Sequence, residues 1–220
     1  MIHGCRPLRR GLAALALALA LGVPVAQANQ AELKQAGLVD VQALDPTIRL
    51  DIRYATANNF TGQPVYPAAV CWLRAETAER LLAVQADLKA EGLGLKVFDC
   101  YRPFSIQKKF WSLVPNEDYV AKPVEENGQP VLGSKHNRGA AVDLTLVDEG
   151  GRELEMPSGF DDFSDKANRA CAACSDAARR NAARLEAAMR RHGFAPLPSE
   201  WWHFDGPGWE GFKLLDAPLN

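Results

Sequence analysis

The stretch Ser134-Lys-His-Asn-Arg-Gly-Ala-Ala-Val-Asp143 decides how this chain is organised, together with Glu200-Trp-Trp-His203 further along. His136 and Asp143 offer an imidazole and a carboxylate close together in sequence, and His203 adds a second imidazole from a distance. Two near ligands and one distant ligand are typical of a catalytic zinc site, in which three protein ligands leave a fourth position open. The pattern therefore predicts one zinc ion per chain and a hydrolytic reaction.

Histidine usage supports the metal site over the alternative, in which the same residues are hydrogen-bonded at the surface and bind no metal. The chain has four histidines. His3 lies in a segment typical of a removable leader, and two of the other three lie in the two motifs. Glu200 precedes His203 in the second motif and is predicted to be the base that takes the proton of the attacking water.

We expect a single α+β domain with a central, mainly antiparallel sheet, helices on its flanks and the zinc site on the sheet face, and the hydrophobic pattern predicts its elements. In residues 141–147, Val142, Leu144 and Leu146 point one way and Asp143 the other, which is the alternation of a strand. Further strands are predicted at 48–54, 93–100, 153–156 and 200–204, helices at 75–91, 103–114 and 165–192, and loops at 58–67 and 115–133.

The last predicted strand poses a geometric problem for the site. Residues three apart in a regular strand point to opposite faces, so Glu200 and His203 cannot both reach one metal from an ideal strand. We therefore expect Glu200 to lie at the entrance of the strand or on a bulge, where the backbone can redirect its side chain.

Residues 1–28 have the composition of a secretory signal peptide. Arg6, Arg9 and Arg10 precede an apolar run, which ends at Ala26-Gln-Ala28, a cleavage site for signal peptidase. The sequence thus predicts a leader at 1–28, a domain at 29–220, export, with the periplasm as the expected compartment, and no membrane anchor after cleavage. An uncleaved anchor is the alternative, although the run is short for a permanent span.

The charge balance argues against nucleic acid and anionic membranes as partners. The formal net charge of −2 becomes −5 when the three leader arginines are removed. Proteins that bind polyanions are instead rich in basic residues. The sequence does not fix the oligomeric state.

Four cysteines follow the leader: Cys71, Cys100, Cys171 and Cys174. In an oxidising compartment a bridge between Cys71 and Cys100 is predicted to hold the strand end that carries Arg102. The Cys171-x-x-Cys174 spacing fits a second bridge, a redox pair or an extra metal site. Structural disulfides or free thiols are favoured over the two functional interpretations.

Residue by residue, the motifs resemble those of the zinc D-alanyl-D-alanine dipeptidases of the vancomycin-resistance type. The similarity covers almost everything after the leader. Carboxypeptidases and endopeptidases of the same fold share the metal motifs, so these motifs do not identify the substrate. The match at 51–62 is what favours the dipeptidase. The matching segments are Ser134, His136, Gly139, Ala141 and Asp143 in the first motif, Glu200 and His203 in the second, 51–62, 98–103 and 159–163.

The resemblance implies roles for four residues outside the metal set. Arg102 is expected to stabilise the negative charge of the transition state, although from sequence alone a structural ion pair is favoured. Tyr54, Ser134 and Asp161 are expected to bind the D-Ala-D-Ala dipeptide, with Asp161 on its free ammonium. The chain departs from the family pattern in Met156-Pro-Ser-Gly-Phe-Asp161, so Asp162 stays an alternative for that role.

Two other functions compete with the dipeptidase. The first is a carboxypeptidase or endopeptidase that trims peptidoglycan stem peptides, which requires an open cleft. The second is a zinc-stabilised binding module without activity, against which the presence of Glu200 and Arg102 counts. A cell-wall role in resistance, recycling or nutrient use is compatible with the sequence.

Overall fold

Short strands and helices alternate along the chain in a computed structural model, which describes residue 1 and residues 25–219. The helices are α1 (Val25–Gln35), α2 (Val41–Leu44), α3 (Ala75–Lys89), α4 (Phe104–Leu113) and α5 (Asp176–Arg191). The strands are β1 (Leu38–Asp40), β2 (Arg49–Leu50), β3 (Trp72–Arg74), β4 (Leu93–Asp99), β5 (Val124–Glu126), β6 (Gln129–Leu132), β7 (Ala141–Asp148), β8 (Ala195–Pro196) and β9 (His203–Asp205). Four 3-10 turns lie at Arg53–Ala55, Lys135–Arg138, Asp165–Ala167 and Trp209–Gly211.

The central sheet has five strands in the order β2-β4-β7-β9-β8. β2 runs parallel to β4, and the other three pairings are antiparallel. Helix α3 packs against β4, and α5 packs against β7 and β8. This architecture confirms the predicted α+β class with a mainly antiparallel sheet flanked by helices.

Strand β7 lies at the middle of the sheet and determines where the polar site forms. Val142, Leu144 and Leu146 are completely buried in the core, as the alternation predicted. Asp143 points to the other face and lies directly across from His203 of β9. Because residues opposite each other on neighbouring strands point the same way, this register brings the carboxylate and the imidazole together on the sheet face.

The predicted strand at 48–54 is wrong beyond Leu50. The Asp51 amide still donates to the Val97 carbonyl at 2.9 Å, but the chain then leaves the sheet in the 3-10 turn Arg53–Ala55. The turn buries Tyr54 within an aromatic cluster, against Phe110 with ring centroids 4.6 Å apart. Packing of this ring outweighs the alternating pattern that predicted a longer strand.

The predicted loop at 115–133 contains the hairpin β5–β6. Its turn is Asn127-Gly128, with φ of 51° and 74°. This dipeptide is the usual signal of a two-residue hairpin, because Asn and Gly tolerate the left-handed conformation that both central positions require. In contrast, the predicted strand at 153–156 pairs with β7 only through the bridge between Glu153 and Val147.

The boundaries of the two later helices differ from the prediction. Helix α5 begins at Asp176 instead of near Asp165, because Ser175 caps it by accepting a hydrogen bond from the Ala178 amide. The preceding chain is closed by a Cys171–Cys174 disulfide. Helix α4 begins at Phe104, so Pro103 is the residue before the first helical position and not the first position itself.

A second disulfide joins Cys71 to Cys100 at the end of β4. Both cysteine pairs are therefore bonded, which confirms the predicted Cys71–Cys100 bridge and rules out free thiols for both pairs. In the part of the chain that the structure describes, no helix combines the length and apolar character that crossing a membrane requires. Residues 2–24 of the predicted leader lie outside the described residues, and the leader stays a prediction.

Candidate metal centre

Three separate elements carry the predicted ligands. His136 lies in the 3-10 turn before β7, Asp143 in β7 and His203 in β9. A capping box holds the turn: the Ser134 hydroxyl accepts a hydrogen bond from the His136 amide, and Asn137 accepts one from the Ser134 amide. Gly139, with φ of 67°, then reverses the chain into β7, a conformation that costs glycine little.

The three side chains converge on one point. The His136 Nε2 and His203 Nδ1 atoms are 3.1 Å apart. The Asp143 Oδ1 atom is 3.3 Å from the first and 2.9 Å from the second. In a tetrahedral zinc site with bonds of about 2.0–2.1 Å, ligand atoms lie roughly 3.3 Å apart. The spacing of the three donor atoms therefore fits a tetrahedral metal ion.

Outer hydrogen bonds determine which nitrogen of each imidazole faces the centre. The His136 Nδ1 atom donates to the Cys100 carbonyl at 2.7 Å, since a carbonyl oxygen can only accept. The His203 Nε2 atom lies 2.9 Å from Asp205, whose carboxylate also pairs with Lys135 at 3.0 Å. The His136 Nε2 and His203 Nδ1 atoms are left to face each other and Asp143. A positive charge between these three atoms, either a proton on His203 or a metal ion, offsets the repulsion of their lone pairs.

The electric field of the site favours positive charge. The residues are only 2% (His136), 3% (Asp143) and 6% (His203) exposed. Burial tends to raise the pKa of Asp143, but the two histidines outweigh it and hold that pKa well below its usual range. Burial likewise opposes a charged His203, yet hydrogen bonds to Asp143 and Asp205 raise its pKa to about 10. A field that stabilises an imidazolium here also stabilises a bound metal cation.

Glu200 lies beside the centre without belonging to the ligand set. It is in the turn that precedes β9, which confirms the expected position at the entrance of the strand. Its Oε2 atom is 3.8 Å from the His203 Nδ1 atom, beyond the spacing of the three donors. Burial raises the pKa of Glu200, so the carboxylate is a stronger base than one in water. It is thus placed to accept a proton next to the metal position.

Arg102 is held rigidly at the side of the same cavity. Its Nε and Nη2 atoms donate to Asp99 at 3.0 and 2.7 Å, and its Nη1 atom donates to Gln107 at 2.8 Å. Tyr66 donates to the other oxygen of Asp99 at 2.8 Å. Although burial opposes the charge, Asp99 raises the pKa of Arg102. Arg102 therefore forms a structural ion pair with Asp99 and also lines the cavity.

Tyr54, Ser134 and Asp161 all line the cavity, whereas Asp162 does not. The Tyr54 hydroxyl donates to Asp161 Oδ1 at 3.1 Å. The Oδ2 atom of Asp161 is buried without a partner. Burial and the nearby Asp143 raise the pKa of Asp161 to about 8. A metal cation on Asp143 would cancel part of that effect. Asp161 also has a φ of 59°, strained for a residue other than glycine, as is common at binding sites.

The cavity has a volume of about 590 Å³ and contains the whole predicted set, namely Tyr54, Arg102, Ser134, His136, Asp143, Asp161, Glu200 and His203. Sequence reasoning missed the aromatic rim, where Tyr119 stacks on Phe163 with centroids 4.9 Å apart. It also missed Asp205. Alternation along β9 could have found this residue, because positions i and i+2 of a strand share a face.

The chain is similar to known peptidases over most of its length. It matches the Peptidase M15 family, described as D-ala-D-ala dipeptidase, over residues 34–216. It is 35% identical to the D-alanyl-D-alanine dipeptidase of Escherichia coli K12, a match that covers 81% of this chain and 89% of that protein. The dipeptidase of Enterococcus faecium is 32% identical over 71% of this chain and 85% of that protein. The dipeptidase of Enterococcus faecalis is 30% identical over 78% of this chain and 88% of that protein.

If the three donors hold one metal, His203→Ala should lose it. The variant removes one of three ligands, and we expect the zinc content after dialysis against zinc to fall from one ion per chain to below about 0.2. His192→Ala is the matched control, because His192 pairs with Asp87 at 2.9 Å and is not among the three donors. Elemental analysis checks both variants. Full zinc content in His203→Ala would refute the assignment.

Proposed function

The chain belongs to the D-Ala-D-Ala dipeptidase family of peptidases, and from this membership we propose that it is a zinc enzyme that hydrolyses D-alanyl-D-alanine. One observation carries the proposal: three buried lone-pair donors converge with tetrahedral spacing beside a buried carboxylate that is not a ligand. Donors of two histidines and one aspartate suit zinc and leave its fourth position open. When bound, zinc supplies a Lewis acid that polarises the carbonyl and lowers the pKa of water to about 7.

Glu200 is the general base of the proposed reaction. It takes a proton from the attacking water, whose oxygen adds to the scissile carbonyl carbon. It then returns this proton to the amine nitrogen as the C–N bond breaks, so that one water and one dipeptide give two D-alanine molecules. The buried carboxylate suits both steps, because its raised pKa lies closer to neutrality.

Arg102 stabilises the negative charge that develops on the former carbonyl oxygen. Its guanidinium is oriented before substrate arrives, since Asp99 and Gln107 hold it on two sides. Fixed charges of this kind act most strongly on charge that appears only in the transition state. The Asp99 carboxylate offsets part of the arginine charge but keeps the side chain in one geometry.

Asp161 receives the ammonium of the dipeptide. Its unpartnered buried oxygen is the kind of acceptor that an ammonium satisfies with a charge-assisted hydrogen bond. Tyr54 holds the other oxygen and orients the carboxylate. Ser134 lines the same cavity and supplies a hydrogen bond to the dipeptide.

A carboxypeptidase that trims stem peptides is the second candidate, and the size of the cavity favours it. At about 590 Å³ the space lies within the range of about 300–1,000 Å³ that drug-sized ligands occupy. It therefore has more room than a dipeptide requires. Asp161 favours the dipeptidase, because a longer substrate brings an uncharged amide to the unpartnered carboxylate.

Export to the periplasm is part of the proposal. What supports it is the composition of the leader at 1–28 and the presence of two disulfides, which persist in oxidising compartments. A periplasmic enzyme would meet D-Ala-D-Ala units from peptidoglycan, which makes wall turnover a natural setting for it.

Glu200→Gln should separate catalysis from metal binding. The variant keeps the shape of the side chain and removes the base, so we expect kcat for D-Ala-D-Ala to fall by about 10²–10⁴-fold while one zinc per chain is retained. Glu79→Gln, the same change at an exposed position of α3 outside the cavity, controls for the loss of an acidic residue. Steady-state kinetics and elemental analysis provide the readouts, and normal turnover in Glu200→Gln would contradict its role as the base.

N-acetylation of the substrate should abolish most of the activity. The acetyl amide brings Asp161 no positive charge, and loss of one partner of a buried ion pair costs about 3–5 kcal/mol, so at a pH above the Asp161 pKa of about 8 kcat/KM for N-acetyl-D-Ala-D-Ala should be at least about 100-fold lower than for D-Ala-D-Ala. Asp161→Ala should bring the kcat/KM values of the two compounds closer together, and Asp162→Ala should leave their ratio unchanged, because of these two aspartates only Asp161 lines the cavity. Equal cleavage of both compounds by the wild-type enzyme would favour the carboxypeptidase instead.

A further inference from the structure

We propose that Arg169 is a positioning residue for Glu200, an inference that rests on the function proposed above. Glu200 lies near the middle of residues 197–203, here named the Glu200 turn, which link β8 to the ligand His203. The guanidinium of Arg169 bridges the two ends of this turn. Its Nε atom donates to the Leu197 carbonyl at 2.8 Å, and its Nη2 atom donates to the His203 carbonyl at 2.7 Å.

The Glu200 turn has weak internal support. Its own backbone hydrogen bonds are long: 3.3 Å from the Glu200 amide to the Leu197 carbonyl, 3.4 Å from the His203 amide to the Glu200 carbonyl, and 3.3 Å from the Leu197 amide to the His203 carbonyl. Shorter bonds come from the 167–169 segment. The Trp201 amide donates to the Ala167 carbonyl at 2.9 Å, and the Arg169 amide donates to the Pro198 carbonyl at 3.1 Å. The position of Glu200 therefore depends on this neighbouring segment.

Arg169 is itself anchored on two further sides. Its Nη1 atom pairs with Glu186 of α5 at 3.3 Å, and its guanidinium carbon lies 4.3 Å from the ring centroid of Phe204. The side chain is only 12% exposed. The planar guanidinium stacks on Phe204 and donates hydrogen bonds in several directions at once. Lysine cannot replace arginine here, because its ammonium is not planar and does not hold several donors in a fixed arrangement.

A base must be held closely for proton transfer, and a displacement of about 1 Å in an active site can cost roughly 10²-fold in rate. Arg169 adds to the β8–β9 pairing and to the Leu197–His203 backbone hydrogen bond that hold the turn's two ends together, and Glu200 lies between these ends. The metal ligand His203 has a separate source of order, since β7 pairs with β9 at Asp143 and Asp205 holds the ring. Loss of the two guanidinium hydrogen bonds should therefore displace Glu200 and leave metal binding intact.

Arg169→Lys tests this division. We expect kcat for D-Ala-D-Ala to fall at least about tenfold, with KM changed by less than about threefold and one zinc per chain retained. Val84→Ala is the control, because Val84 is fully buried in α3 and does not line the cavity. That variant should lower the melting temperature and keep a normal kcat when assayed well below it. A kcat within twofold of wild type in Arg169→Lys, or loss of zinc from it, would overturn the proposal.

Two further measurements test the role of Arg169 if Arg169→Lys does not fold or if the protein does not cleave D-Ala-D-Ala. If Arg169→Lys does not fold, Glu186→Gln weakens the anchor of the guanidinium and should lower kcat two- to fivefold, and an unchanged kcat would overturn the inference. Hydrogen exchange needs no turnover. In Arg169→Lys the amides of Glu200 and His203 should exchange at least about tenfold faster than in wild type, while Leu144 of β7 is unchanged. A wild-type protein that does not cleave D-Ala-D-Ala contradicts the proposed function alone, whereas unchanged exchange contradicts the role of Arg169.

Discussion

The convergence of three lone pairs on the sheet face is the constraint on which the rest of the site depends. Two imidazoles and a carboxylate within 2.9–3.3 Å of one another repel unless a proton or a metal cation lies between them. The fold holds them there through the cross-strand register of β7 and β9 and through the capped turn that carries His136. A metal ion would thus take the place of the proton that His203, with its pKa of about 10, otherwise holds beside Asp143.

The end of β4 organises the remainder of the active site. The Cys100 carbonyl orients His136, and the neighbouring Asp99 carboxylate orients Arg102. The Cys71–Cys100 disulfide joins this segment to the chain before β3. One short stretch therefore positions both His136 and Arg102, while the 167–169 segment holds the turn that carries Glu200. The residues of the proposed site are thus supported by different parts of the fold.

Local patterns in the sequence predicted the elements that carry the chemistry. Alternation in β7 correctly placed Asp143 opposite the apolar row, and the incompatibility of Glu200 with a regular strand correctly placed it at the strand entrance. The Asn127-Gly128 hairpin was equally readable but was missed. The contacts of Arg169 depend on packing, so spacing could not reveal them, whereas the Ser175 cap that begins α5 was a local signal that was missed. Composition says nothing about which carbonyls a guanidinium will reach.

The most direct test of the account is a titration of the metal-free protein with zinc while D-Ala-D-Ala hydrolysis is measured. A single site built from His136, Asp143 and His203 predicts no hydrolysis without metal, a linear rise with added zinc and a plateau at one equivalent per chain. Hydrolysis by the metal-free protein, or a plateau that requires two equivalents, would contradict the one-metal site on which the proposed mechanism rests.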